Sequence, residues 1–218
     1  MVIAMDGPAC AGKSTLAVLT AKKLNVNFLN TGMIFRAIAY LLTYKNIDIN
    51  NIDDVKNTIK ASNIDVEYID GEQVVYVFGI DTRPYISLPE ISQKSSAYSQ
   101  IPEIREIVSS IQHKFAEKYD LVIEGRDIGT EVFPNAKYKF FVTASVEARA
   151  LRRFETLKEK DETLTLEQVK QAIIERDYND TNRKISPLKK ANDAIVIDTS
   201  NDSIGQSLEK IVSYIEEK

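Results

Sequence analysis

The run Val2-Ile3-Ala4-Met5, followed at once by Asp6-Gly7-Pro8-Ala9-Cys10-Ala11-Gly12-Lys13-Ser14-Thr15, constrains this chain more than any other feature. Residues 7–14 fit the spacing G-x-x-x-x-G-K-[ST]. An apolar strand-like run precedes them and an amphipathic run follows, which is the context such a loop requires. Gly7 and Gly12 let the backbone curl until successive N–H groups point inward as an anion nest. A helix opening at Lys13 adds its own unpaired N–H groups and the positive end of its dipole. Lys13 then reaches the outer phosphates, and the Ser14 hydroxyl is offered to Mg²⁺. The loop residues Gly7, Pro8, Ala9, Cys10, Ala11, Gly12, Lys13, Ser14 and Thr15 are thus expected to hold a nucleoside triphosphate.

At 218 residues there is room for one elaborated α/β domain with a sizeable core. A formal net charge of −4 argues against unspecific adhesion to nucleic acid or to acidic membranes. The first strand carries no basic leader segment, and no apolar run approaches a membrane span, so a cytoplasmic protein is expected. Cys10 is the only cysteine, which excludes an internal disulfide and a cysteine-based metal cluster. Within the loop it is either a reactive thiol or, more simply, a small filler.

Strand and helix alternate along the chain. Strands are expected at residues 2–5, 26–29, 121–123, 138–142 and 194–197. Helices are expected at 13–23, through Ile34, Ile38 and Leu41, and at 52–62, 88–99, 102–118, 146–159, 166–181 and 203–217. Pro102 suits a first helical position. The apolar strands without alternation suggest a mostly parallel sheet covered on both faces. Residues 64–69 and 74–78 alternate instead, and they flank Asp70-Gly71-Glu72-Gln73. This is a hairpin signature belonging to an insertion over residues 64–83.

A phosphate loop does not name a reaction. The guanine-reading Asn-Lys-x-Asp pattern is absent, which weakens a GTPase reading. Of nine arginines, five lie between Arg149 and Arg183. A guanidinium fork matches phosphate oxygens, and a closing segment rich in arginine neutralises a transferring phosphoryl group and excludes water. The alternative is a solvated helix, with Arg149 and Arg153 at i,i+4 facing water beside Lys158, Glu159 and Lys160. A further cluster, Glu124-Gly125-Arg126-Asp127-Ile128-Gly129-Thr130, ends the central strand where open α/β sheets bind ligands. There Arg126 is either a phosphate clamp beside an acceptor or one half of a loop-tying ion pair with Asp127. The single histidine, His113, falls on an expected helix as a surface or packing residue.

These residues carry a resemblance. Asp6-Gly7-Pro8, Gly12-Lys13 and Asn30-Thr31-Gly32-Met33-Ile34-Phe35-Arg36 are similar to bacterial cytidylate kinases. So are the block from Glu124 to Pro134 and Glu175-Arg176-Asp177 with Asp180, Asn182 and Arg183. The resemblance spans essentially the whole chain. It implies a three-layer P-loop kinase fold with a mostly parallel central sheet, a monophosphate-binding insertion holding a small antiparallel sheet, and a lid. The single domain, residues 1–218, would have its core at about 1–30, 118–150 and 185–218. The monophosphate-binding region would lie at about 31–117 and the lid at about 151–184.

The implied activity is transfer of the ATP γ-phosphoryl group to CMP or dCMP in pyrimidine nucleotide metabolism. It needs Mg²⁺ as Mg·ATP and is carried out by a cytoplasmic monomer without nucleic-acid or membrane partners. Lys13, Arg126 and Arg183 are the implied catalytic residues. Arg36, Arg126 and Arg183 are assigned to the CMP phosphate, and Ser96, Arg105 and Asp127 to the cytosine. Asp180 and Arg176 are assigned near the sugar, Thr31 to the same pocket, and Arg149, Arg152 and Arg153 to the lid. Cytosine presents an N4 donor and N3/O2 acceptors, which suits a carboxylate opposite an arginine. The chain departs from the pattern in Ser14 within the loop, in Asn30 and in Glu124, the last two standing where aspartate is frequent.

Overall fold

The computed structural model describes residues 1–69, 71–159 and 162–217. Asp70 of the expected turn and Lys160 of the expected solvated face lie outside the described residues. The chain divides into two compact units, Met1–Phe28 with Tyr119–Lys218, and Leu29–Lys118.

A five-stranded sheet is formed by β1 (Val2–Asp6), β2 (Asn27–Asn30), β3 (Leu121–Gly125), β4 (Tyr138–Thr143) and β5 (Ile195–Asp198), in the spatial order β2-β3-β1-β4-β5; all of it but Leu29 and Asn30 of β2 belongs to the first unit. β1 pairs parallel with β3 and β4, and β4 pairs parallel with β5. The non-alternating strands are buried as expected: Ile3, Ala4, Met5, Leu121, Val122 and Ile123 are all fully inaccessible. Helices α1 (Lys13–Leu24), α2 (Val146–Leu157), α3 (Leu166–Asn182) and α4 (Ile204–Glu216) complete this unit. Leu16 and Ala17 of α1 meet Ile211 and Ile215 of α4 over Met5, Phe140 and Val142. Ser203 caps α4 and Thr165 caps α3, each in a reciprocal capping box with a glutamine three residues on. The smaller cluster Ala150, Val169 and Ile173 packs α2 on α3.

The second unit holds α5 (Thr31–Tyr44), α6 (Ile52–Ala61), α7 (Arg83–Ile86), α8 (Pro89–Tyr98) and α9 (Pro102–Lys118). It also contains a separate antiparallel sheet of β6 (Asp65–Ile69), β7 (Glu72–Val77) and β8 (Ile80–Asp81). The hairpin therefore gains a third strand, and its second strand begins earlier than the sequence suggests. Glu72 and Gln73 already belong to β7, where buried Gln73 accepts from Asn30 N at 2.6 Å through Oε1. Asn30 caps α5 by accepting from Met33 N at 3.1 Å. An amide oxygen does this as well as a carboxylate, so the asparagine keeps the local structure where aspartate is frequent. Among the described residues no helix is long and apolar enough to cross a membrane.

Candidate active site

β1 delivers the chain into the loop of residues 7–15, whose backbone bends sharply. Gly7 has φ +147°, Cys10 φ +61° and Gly12 φ +85°. Cys10 thus supplies a left-handed bend and packs beside the α2–α3 cluster, which agrees with a filler more than with a reactive group. Gly12 stands at the N-cap of α1, which leaves the first amides of that helix available to an anion. Lys13 is buried, and its Nζ donates to Pro8 O at 2.6 Å. Burial, reinforced by the nearby Arg126 charge, lowers its ammonium pKa to about 7 against the opposing pull of Glu124 and Asp6. A bound polyphosphate would reverse that balance.

Ser14 sits on the exposed rim of the loop and donates to both carboxylate oxygens of Glu124, at 2.7 and 2.8 Å. Glu124, last but one in β3, pairs with Met5 of β1, so the sheet register places it under the loop. The sequence places Glu124 in the cluster at the end of a central strand but gives it no role of its own. A hydroxyl and a carboxylate are hard oxygen donors, a set that fits Mg²⁺ when phosphates and waters fill the remaining positions. No cluster of three or more acidic, histidine or cysteine side chains that could hold a metal occurs among the described residues. The phosphates would accordingly supply much of the shell.

Arg126 follows directly on β3. Its Nε donates to Asp180 Oδ2 of α3 at 2.8 Å. Arg183, which ends α3, lies 3.6 Å from Asp127 Oδ1 and 4.0 Å from Asp180 Oδ1. The side chains of Asp127, Asp180 and Arg183 are all nearly inaccessible. Burial opposes ionisation of Asp180, but Arg126, Arg176 and Arg183 together hold its carboxyl below the usual range. Of the two readings of Arg126, the loop-tying pair with Asp127 is not what the structure shows: Arg126 pairs with Asp180, and it is Arg183 that faces Asp127. Arg176 is exposed on α3.

The three arginines expected in a lid make different contacts. Arg149 does not face water: it is buried and donates to Ala144 O at 3.0 Å, to Ala9 O of the phosphate loop at 3.3 Å, and to Asp177 of α3. Arg152 donates to Thr199 Oγ1 at 2.9 Å, and Arg153 is exposed. Both line a cavity of about 280 Å³ at the mouth of the loop, together with Lys13 and Ser14. A second cavity of about 140 Å³ lies behind Gly12 and Thr15, walled by Thr199, Asp202 and Ser207.

In the second unit, Thr31 opens α5 and its Oγ1 accepts from Gln112 Nε2 at 2.8 Å. Arg36 lies one turn further along the same helix, with Nη1 close to Gly32. The Arg105 guanidinium lies 5.6 Å from the centre of the Phe35 ring and donates to Ser99 O at 2.9 Å. This cation–π contact makes Phe35, which the sequence gives only as part of a motif, a support for Arg105. Ser96 is half-buried on α8. His113 is exposed on α9.

The family model for cytidylate kinase matches residues 3–217. A cytidylate kinase of Clostridium tetani is 44 % identical over 216 residues, covering 99 % of this chain and 94 % of that protein. One from Lactobacillus johnsonii is 43 % identical over 218 residues, covering 100 % and 95 % respectively. Among solved structures, an uncharacterized protein from Eubacterium ventriosum shares the fold, with TM-score 0.54, 12 % identity and coverage of 100 % and 99 %. On the strength of the full-length match, the chain belongs to the cytidylate kinase family.

Proposed function

We propose that this protein transfers the γ-phosphoryl group of ATP to a phosphate oxygen of CMP or dCMP, giving ADP and CDP or dCDP. The observation that carries this reading is the match of residues 3–217 to the cytidylate kinase family. Phosphoryl transfer asks little covalent help from a protein; positioning and charge neutralisation supply most of the rate. In this reading the loop from Gly7 to Thr15 holds the triphosphate, and Lys13 orients the transferred group. Ser14 and Glu124, together with the phosphates, would hold Mg²⁺, which would supply charge neutralisation to the transferring group. Arg126 and Arg183 exchange their carboxylate partners for the acceptor phosphate, with Arg36 as a third clamp. Asp127, Arg105 and Ser96 read the cytosine, with Asp180, Arg176 and Thr31 completing the acceptor pocket. Residues 151–184 act as a lid in which Arg152 and Arg153 approach the donor phosphates, and the enzyme works as a cytoplasmic monomer.

A coupled assay of ADP release with CMP, dCMP, UMP and AMP tests the proposal. CMP and dCMP are expected to be turned over and the others far more slowly. A preference for UMP or AMP overturns it.

Base choice provides a sharper check. Asp127→Asn replaces one acceptor oxygen with a donor that can face uracil O4. CMP is expected to lose about 1–3 kcal/mol of transition-state stabilisation, the scale of one polar base contact. UMP loses less, because the clash of acceptors is relieved. The ratio of kcat/KM for CMP over UMP reads this directly, since misfolding lowers both values together. An unchanged ratio in folded protein removes Asp127 from base reading.

A further inference from the structure

Asp6, the last residue of β1, is buried, and each of its carboxylate oxygens accepts a backbone bond. Oδ1 takes Ile128 N at 2.8 Å and Oδ2 takes Gly129 N at 2.7 Å. Those amides open a π-helical turn, Ile128–Val132, in which Val132 N reaches Asp127 O at 3.2 Å and Phe133 N reaches Ile128 O at 2.7 Å. The first amides of any helical turn have no acceptor within it. An aspartate at the N-cap ordinarily supplies one. Here the N-cap residue is Asp127, and its side chain makes no capping bond. The cap comes instead from Asp6, 122 residues away in sequence. Asp127 Oδ1 is directed towards Arg183 at 3.6 Å.

The backbone ladder between β1 and β3 ends at the pair Asp6–Gly125. The Asp6 side chain therefore continues that tie past the end of the ladder, across the two residues Arg126 and Asp127. Burying a carboxylate is costly, and burial pushes the Asp6 carboxyl up to about 6 despite the two amides and Lys13. Lys13 and Arg126 are the cations that face it, Asp127 is the like charge, and Lys139 packs beside Gly129.

We infer that Asp6 is a positioning residue for the phosphoryl acceptor. By capping the turn from the phosphate-loop side, it sets Arg126 and Asp127 relative to Lys13 and frees the N-cap position for a substrate-facing carboxylate. The inference rests on the reading that Arg126 and Asp127 serve CMP.

Asp6→Asn keeps the volume but turns one acceptor into a donor, so one of the two amides loses its partner. Turnover is expected to fall about 10–100-fold, the scale of a small misplacement at a reacting centre. KM for CMP should rise at least about fivefold, with the affinity for Mg·ATP in calorimetric titration within about twofold of wild type. The CMP-over-UMP ratio should fall as well. A lowered melting temperature with unchanged kcat and KM in the folded protein overturns the proposal, as does an equal loss of ATP affinity.

Gly129→Ala guards against a variant that fails to fold. It keeps both amides, but its methyl would lie 3.4 Å from Asp6 Oδ2 and 3.2 Å from Lys139 Cδ, pressing on the same contact. A rise in KM for CMP of about three- to tenfold is expected, again without change in ATP affinity. An unchanged KM there overturns the proposal whatever Asp6→Asn does. Failure of the underlying reading looks different: the wild-type enzyme would then leave CMP untouched.

Discussion

Replacing Lys13 by methionine is expected to lower turnover at least about 10²–10³-fold, the cost of removing one preorganised charge from a transition state. The variant should be no less stable than wild type. Lys13 is buried with Pro8 O as its hydrogen-bond acceptor, and its pKa falls from 10.5 to about 7 because burial disfavours the ammonium. The unfolded chain therefore binds more protons than the folded one between those values. Folding stability contributed by this residue rises with pH from about 7 to 10.5, and below 7 the full penalty is present. Lys13→Met removes that slope. Urea midpoints at pH 6.5 and pH 9 should show the variant gaining most at the lower pH, while coupled assays show it inactive. Turnover within about tenfold of wild type would take Lys13 away from the transferred phosphoryl group.

The same low pKa makes binding visible as a proton. At pH 8 a group with pKa near 7 is about nine-tenths neutral, and a bound triphosphate recharges it. Wild type should take up close to one more proton on binding ATP than Lys13→Met does. Binding enthalpies compared across buffers of different ionisation heat measure the difference. Equal uptake by both proteins would mean that Lys13 is already charged before nucleotide arrives.

What could be read from the sequence was what local chemistry decides. The loop from Gly7 to Thr15 announces itself because all of its parts are adjacent. Helix α9 begins at Pro102 and ends at Lys118, as expected, because an N1 proline fixes its start. The buried parallel strands were legible from their unbroken apolar runs. Most of the misses depend on partners distant in sequence. Glu124 matters because the sheet register brings it to Ser14, 110 residues away. The face of Arg149 could not be settled by i,i+4 spacing, since what buries it is the phosphate loop at Ala9 and α3 at Asp177. The π-turn after Asp127 leaves no periodic trace in five residues, and its cap is supplied from β1. Strand β8 is only two residues long and is held by pairing to β7. Sequence periodicity sees faces and starts, whereas a site assembled by a sheet is written in register.

Substituting alanine at the two loop glycines is expected to give very different results. At Gly7 an added Cβ would fall 1.9 Å from the backbone oxygen of Val142 and 3.0 Å from its carbonyl carbon. Neither atom is the end of a flexible side chain. Val142 belongs to β4, whose preceding residue Phe141 is paired with Asp6, so the strand cannot withdraw without opening the ladder that launches the loop. The φ of +147° adds backbone strain for any residue with a side chain. Gly7→Ala should therefore destabilise the protein by about 3–5 kcal/mol, with a melting temperature lower by about 6–20 °C. It should also abolish ATP binding in whatever remains folded, since relief of the clash displaces the nest.

At Gly12 no heavy atom lies within 4 Å of the added Cβ, and the left-handed φ of +85° is the whole cost. That conformation costs an L-residue about 1–2 kcal/mol, so the melting point should fall by only about 2–8 °C. Thermal unfolding and titration with Mg·ATP separate the two variants. Equal losses from both would mean that the close approach of the loop to β4 is not what demands glycine at position 7. The requirement would then be one of dihedral freedom alone, shared by the two ends of the motif.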